Sequence, residues 1–251
     1  MHKLQGSCET TPFCFCGNGI YGETLSLIED SGIRTVILPP DADLPSPVKN
    51  HADLSVFSCG GKVIFREKYW SGHDIGRLLR EHGFDGEVLL SGSTAGQVYP
   101  SDVHFCARIA GRYLICREQY TDPLCISAAL ENGLTVTDVR QGYCACSAAA
   151  LSDGAVITAD TGIARAMRKN GTDVLLISPY GIVLRGYGNG SEGFIGGCCG
   201  LYGNKLFFNG DPCTHPDSEK IFAFCEKHGT VPVFPEGLPL LDVGGLVFYH
   251  Q

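Results

Sequence analysis

The chain has 251 residues with 19 basic and 27 acidic side chains, a formal charge of −8, and is long enough to bury one substantial core. An acidic chain without a Lys/Arg run does not suit phosphate-backbone binding, so nucleic acid is not an expected partner. The longest apolar runs, such as 174–177 and 246–249, are far too short to span a bilayer, and the polar residues 1–11 hold no signal-peptide core; a soluble, cytoplasmic protein is expected.

Two counts stand out, 33 glycines and 13 cysteines. An odd number of thiols without a secretory segment argues against a disulfide scaffold. The close pairs are Cys14/Cys16, Cys144/Cys146 and Cys198/Cys199. No C-x-x-C occurs, which excludes the usual zinc-ribbon spacing and disfavours a thioredoxin-type site.

The elements repeat along the chain. Residues 1–18 read as an N-terminal extension. A helix and strand follow between Gly19 and Leu38, with Ser31-Gly32 as the helix stop before a β-branched run. Residues 51–65 read as two strands around Gly60-Gly61. The next helix opens at a Ser71–Asp74 capping box and stops at His82-Gly83. Residues 101–116 repeat the strand pair around Gly111, and the helix after Asp122-Pro123 stops at Asn132-Gly133. Residues 142–158 turn at Gly154, and a helix capped by Asp160, with Ile163 and Met167 on one face, stops at Asn170-Gly171. Residues 193–208 turn at Gly203, and a helix from a Thr214–Asp217 box stops at His228-Gly229. Residues 238–249, turning at Gly244-Gly245, give a last strand pair. Each helix stop is a glycine suited to the left-handed C′ position, and these glycines recur at intervals of about fifty residues. The unit is strand, strand, helix, strand. The fifth unit takes its two strands from the C-terminus and its helix and third strand from residues 19–38.

This pattern resembles the pentein, or GME, fold: an α/β-propeller of five ββαβ units around a pseudo-fivefold axis, here a single domain closed by the N-terminal helix and strand joining the C-terminal unit. That superfamily includes arginine deiminase, dimethylarginine dimethylaminohydrolase, glycine amidinotransferase and the ribosome anti-association factor. The segments Gln141–Ser147, Gly193–Gly197, His215–Asp217 with Lys220-Ile221 and Phe224-Cys225, and Pro239–Gly245 are similar to an uncharacterised bacterial GME-fold family that carries a domain-of-unknown-function label. The resemblance implies fold more than function. The guanidino-modifying members would place acids on early strands, a His in the third unit and a nucleophilic Cys soon after the last Gly-Gly. Here Gly244-Gly245 is followed by Leu-Val-Phe-Tyr, the third-unit position falls at Cys144 and Cys146, and the first-unit acid falls near Cys59. Asp102 alone keeps acid character, so ordinary deiminase or amidinotransferase chemistry is not expected.

In such a ring the first strand of each unit lines a central channel, and alternate residues share a face. That places His51, Asp53, Ser55 and Cys59 together from the first unit, and Asp102, His104 and Cys106 from the second. Cys144 and Cys146 come from the third, Cys198 or Cys199 from the fourth and Asp242 from the fifth. Three readings stay open. One is a module binding a small ligand or protein partner at His51, Asp53, Cys59, Asp102, His104, Cys144, Cys146, Cys198 and Asp242. A second is a cysteine-dependent hydrolase or transferase with Cys146 or Cys106 as nucleophile, His104 as base and Asp102 or Asp53 as orienting acid. A third is a thiolate-bound metal or iron–sulfur cluster on Cys59, Cys106, Cys144 and Cys146, with His104 as a further candidate ligand. Cys116, Cys125 and Cys225 sit in apolar settings and read as core, His82 and His228 as complements to helix C-termini. A compact acidic ring is compatible with a homodimer.

Overall fold

The computed structural model describes residues 11–188 and 191–249; Cys8 and His250 lie outside them. In chain order the elements are β1 (Phe13–Gly17), α1 (Gly22–Asp30), β2 (Arg34–Leu38), β3 (Val56–Cys59), β4 (Lys62–Arg66), α2 (Glu67–Gly72), α3 (Ile75–Glu81) and β5 (Glu87–Ser91). Then come β6 (Arg108–Ala110), β7 (Tyr113–Cys116), α4 (Pro123–Glu131), β8 (Thr135–Asp138), α5 (Cys144–Ser147), β9 (Ala148–Ala150), β10 (Val156–Thr158), α6 (Thr161–Lys169) and β11 (Val174–Leu176). The rest are β12 (Val183–Leu184), β13 (Cys199–Tyr202), β14 (Lys205–Phe208), α7 (Ser218–Lys227), β15 (Val231–Val233), β16 (Leu241–Asp242) and β17 (Leu246–Tyr249). No helix among the described residues is long and apolar enough to cross a membrane.

Among the described residues, five three-stranded sheets share one topology: β17-β1-β2, β3-β4-β5, β6-β7-β8, β9-β10-β11 and β13-β14-β15. In each, the first strand is antiparallel to the second and the third is parallel to it. The helical segment between second and third strands makes the crossover that a parallel pair needs. The second strands are covered on both faces, which is why they read as unbroken apolar runs such as Val63-Ile64-Phe65 and Leu206-Phe207-Phe208, each fully buried, rather than as an alternation. All five helix-stop glycines have the positive φ the sequence requires. Asp122 and Asp160 cap α4 and α6 by accepting from the Leu124 and Ile163 amides, both at 2.8 Å.

The first strands are mutual neighbours: β3 contacts β17, β17 contacts β13, β13 contacts β9, and β9 contacts β6. A cavity of about 350 Å³ is lined by residues of all five, including Phe57, Ile109, Ala150, Leu201 and Val247.

Three expectations are corrected. Residues 13–17 are not part of an extension; they form β1, wholly buried as the middle strand of its sheet. The C-terminal strand pair does not form either. β17 pairs with β1, and Leu241 of β16 lies beside Val183 of β12 in a two-stranded parallel sheet. The apolar β1 needs a partner on each edge, and β17 is the partner it takes. Two helix starts also shift. α2 already runs over Glu67–Gly72, and Asp74, at φ +47°, precedes α3 without a side-chain cap. Helix α7 begins at Ser218, while the Thr214 hydroxyl donates to the Asp211 carbonyl at 2.7 Å.

Gly171 and Gly200 separate two kinds of glycine requirement. Gly171 has φ +82° with open space where a side chain would sit. Gly171→Ala is expected to cost about 1 kcal/mol, the left-handed conformational penalty alone. At Gly200 a Cβ would lie 2.2 Å from the Leu246 carbonyl oxygen, between two first strands. Gly200→Ala is therefore expected to cost roughly 3 kcal/mol or more, by forced backbone displacement. Urea denaturation of the two variants checks the contrast; equal costs would refute it.

Candidate functional site

The chemistry-bearing residues sit on the short segments that lead into the first strands. His51 and Asp53 lie at the 3₁₀ turn Ala52–Leu54, just before β3. Cys106 precedes β6, Cys146 lies in the helical turn α5 before β9, and Asp242 belongs to β16, just before β17. The 3₁₀ turn Gly196–Cys198, before β13, supplies backbone instead. The Asp53 amide donates to the Gly244 carbonyl at 3.0 Å, and the Val243 and Gly245 amides donate to Gly197 at 2.9 and 2.7 Å. These bonds tie the segments into one layer.

Asp53 is the hub. The Cys146 thiol donates to its Oδ2 at 2.8 Å and the Cys106 thiol reaches the same oxygen at 3.7 Å. The two sulfurs are 3.9 Å apart. On the other side of Cys146 stands a second group, His51 and Asp242, with Nδ1 of His51 3.8 Å from Oδ1 of Asp242. Asp242 is held by amides: Gly244 donates to Oδ1 at 3.0 Å and Phe194 to Oδ2 at 2.9 Å. In each group of three, Asp53/Cys106/Cys146 and His51/Cys146/Asp242, the potential ligand atoms lie within 4.8 Å of one another, and all five residues are buried. Arg108 closes the layer, its Nε and Nη2 donating to the Ala145 carbonyl at 3.2 and 2.5 Å and Nη2 to that of Gly196 at 3.2 Å.

Burial sets the electrostatics. It pushes the Asp53 carboxyl up to about 6, against the lowering pull of His51 and of the Cys146 thiol. Cys146 is pushed well above the ordinary thiol range by its hydrogen bond with Cys106 and then by burial, and Cys106 is raised chiefly by burial. Both thiols are therefore protonated near neutrality. Two polar atoms of the layer, His51 Nδ1 and Asp53 Oδ1, are buried without a hydrogen-bond partner, an expensive condition unless a bound group satisfies them. A pocket of about 220 Å³ reaches the layer at His51, Cys146 and Asp242 and is walled by Val48, Tyr143, Leu184, Tyr187 and Phe194.

Cys106, Cys146, Asp53, His51 and Asp242 thus come together, and the other expected residues do not. Cys144 and Cys146 lie on a helical turn, where residues two apart point to opposite sides, unlike on a strand. The Cys144 thiol donates to the Gln141 carbonyl at 2.9 Å and packs in the core with Ile115 and Val139. Cys59 is at the far end of β3, its thiol directed at the Ala128 carbonyl at 3.7 Å among Phe57, Phe105 and Leu114. Cys198 and Cys199 both donate to the Ile195 carbonyl at 3.1 Å. The set Cys59, Cys106, Cys144, Cys146 is therefore not assembled. His104 joins neither group; its electrostatic neighbours are Arg66, Asp122 and Asp102, and burial lowers its pKa. Residues 101–107 form turns rather than a strand, so Asp102, His104 and Cys106 do not share a face. Asp102 instead accepts a hydrogen bond from Tyr143, which lines the pocket. Arg108, Tyr143, Tyr187 and Phe194 were not singled out from the sequence. Tyr143, beside the Cys144/Cys146 pair, was the accessible clue.

These features define an α/β chain of ββαβ units with a buried Cys/His/Asp layer, and one solved structure with this fold is an amidinotransferase, SxtG from Microseira wollei, of a saxitoxin biosynthetic pathway. It is 11% identical, with a TM-score of 0.52 over 88% of this chain and 74% of that one, a likeness of fold alone. The chain belongs to DUF6873, a family of unknown function whose profile matches residues 15–247. No curated protein matches it.

Among the described cysteines Cys213 is exposed, and Cys106 and Cys146 are buried. Prolonged iodoacetamide treatment of native protein at pH 7, followed by peptide mapping, is expected to modify exposed Cys213, slowly because its contact with Asp211 raises that thiol as well, and to leave Cys106 and Cys146 intact. Labelling of that pair is expected to rise with pH, because the thiolate is the reacting form. Rapid modification of either at pH 7 would contradict the raised pKa values.

Proposed function

We propose that the five units are arranged about a pseudo-fivefold axis, as in penteins, and that the layer at one end of the first strands binds a small ligand. The neighbour contacts among the first strands and the cavity they jointly line support the arrangement. One observation carries the ligand: two buried acceptor-capable atoms, His51 Nδ1 and Asp53 Oδ1, have no partner, and the first belongs to a residue that lines the pocket, the second to a residue that lines the central cavity. With carboxylates at Asp53 and Asp242, the complement is a small cation with several N–H donors, an amine or amidine, whose apolar part lies against Tyr143, Tyr187 and Phe194. An amidinotransferase with this fold is consistent with that class. The reading includes a cytoplasmic location, supported by the free, buried thiols, which a reducing compartment preserves.

A second reading, favoured by the 2.8 Å contact of Cys146 with Asp53, is covalent. Asp53 takes the thiol proton, the Cys146 sulfur attacks the amidino carbon, and the proton passes to the departing amine. His104 has no part in it.

Agmatine and methylguanidine are expected to raise the melting temperature in a saturable way, and Asp242→Asn is expected to weaken both at least tenfold. No shift beyond that of equal sodium chloride would sink the ligand reading. Intact-mass analysis after incubation tests the covalent one, an amidino adduct lost in Cys146→Ser being its requirement.

A further inference from the structure

We infer that Asp53, Cys106 and Cys146 form a binding centre for one thiophilic divalent cation of the zinc class. A tetrahedral ion with metal–sulfur bonds of about 2.3 Å holds two thiolates about 3.8 Å apart, and a thiolate and a carboxylate oxygen about 3.5 Å apart. The Cys106–Cys146 separation is 3.9 Å and the Cys106–Asp53 separation 3.7 Å. The third edge, Cys146 to Asp53, is 2.8 Å because a thiol hydrogen bond spans it. Replacing that proton with the cation opens the edge by less than an ångström, and the other two edges are already the right length.

The donor set selects the ion. Two thiolates with one carboxylate suit zinc, or cobalt as its spectroscopic stand-in, and do not suit magnesium or calcium, which take all-oxygen shells. Two cysteines are too few for the usual four-thiolate iron–sulfur cluster. As the ion binds, each thiol gives its proton to solvent. The two negative charges gained offset the ion's charge, and the Asp53 carboxylate is then satisfied.

The surrounding residues fit this assignment. Arg108 is held on the Ala145 and Gly196 carbonyls, so its donors are directed at backbone rather than competing for the thiolates. His51 and Asp242 lie on the other side of Cys146, towards the pocket. His51 Nδ1, buried and without a partner, lies outside the group of three and is placed to accept from a ligand bound at the fourth position. Three protein ligands with a fourth position facing a pocket is the arrangement of zinc sites that take an exchangeable ligand. The metal inference goes beyond the small-ligand reading and stands without it, since it is read on the protein alone.

The test is anaerobic titration of the reduced, chelator-treated full chain with cobalt(II), followed by native mass spectrometry with zinc. The expected results are one ion per chain and a thiolate-to-cobalt charge-transfer band. Cys106→Ser and Cys146→Ser should each lose the band and weaken binding at least a hundredfold, with unchanged far-ultraviolet circular dichroism. Cys59→Ser and Cys144→Ser should keep both. If a serine variant of the pair fails to fold, Asp53→Asn takes its place, with at least tenfold weaker binding expected. No charge-transfer band in the native chain, or a band that survives loss of Cys106 and Cys146, overturns the inference. So does a band that depends equally on Cys59 or Cys144. None of these outcomes bears on agmatine or methylguanidine binding, so the two readings fail separately.

Discussion

The second strand of each three-stranded sheet is largely buried on both faces and paired on both edges, and most of the molecule follows from that requirement. A strand with no solvent-facing side must be apolar along its whole length, and its amides and carbonyls must be met by neighbours on each flank. The first strand answers one flank and the third strand the other, with a helix crossing between. Charge within the sheets is confined to strand ends, such as Arg66 of β4, which pairs with Asp41. The reactive groups collect in the segments that lead into the first strands. Asp53, Cys106 and Cys146 sit on turns there, and Asp242 on the two-residue strand β16. The fold gathers residues from distant parts of the sequence without any of them being close neighbours in it.

The layer they form is polar and buried. A carboxylate buried with two thiols and an imidazole gains little from packing, and its desolvation is offset only in part by the Cys146 hydrogen bond and by the nearby cationic groups. Asp242 differs. Amides of Gly244 and Phe194 meet both its oxygens, so it is a built anchor. Asp53 keeps one oxygen with no partner. A purely structural core would have little reason to keep that contrast between two acids in one layer.

The repeat was legible because it is written in local chemistry. Glycine at a helix C′ position, Pro in a first turn and Asp at an N-cap act within a few residues, and all five stops, the first-turn Pro123 and the Asp160 cap are where the sequence placed them. The Ser71–Asp74 box failed for a tertiary reason: Trp70 packs on Phe65, with ring centroids 5.6 Å apart, and draws the helix to an earlier start. The site was half legible. Its residues were sought on strands with a period of two, whereas they lie on turns. That assumption grouped Cys59 with Asp53 and Cys144 with Cys146, and it put His104 in the layer, where the imidazole present is that of His51. That the N-terminal helix and strand complete the C-terminal unit was legible, but that β1 is its middle strand, paired with β17, was not. No local pattern announces which distant strand will satisfy an edge.

That last pairing has a kinetic side. Phe13 lies opposite Tyr249, so one sheet joins nearly the first described residue to nearly the last. During synthesis β1 and β2 emerge before β17, and β1 keeps an open apolar edge until residues 246–249 have been made. The other four three-stranded sheets are each contiguous in sequence and can form as their residues appear. Closing so long a loop is slow, and an unpaired apolar strand is a template for wrong partners. Of the three-stranded sheets, the one that pairs residues 13–16 with 246–249 is therefore the last to be completed and the first point of exposure to aggregation.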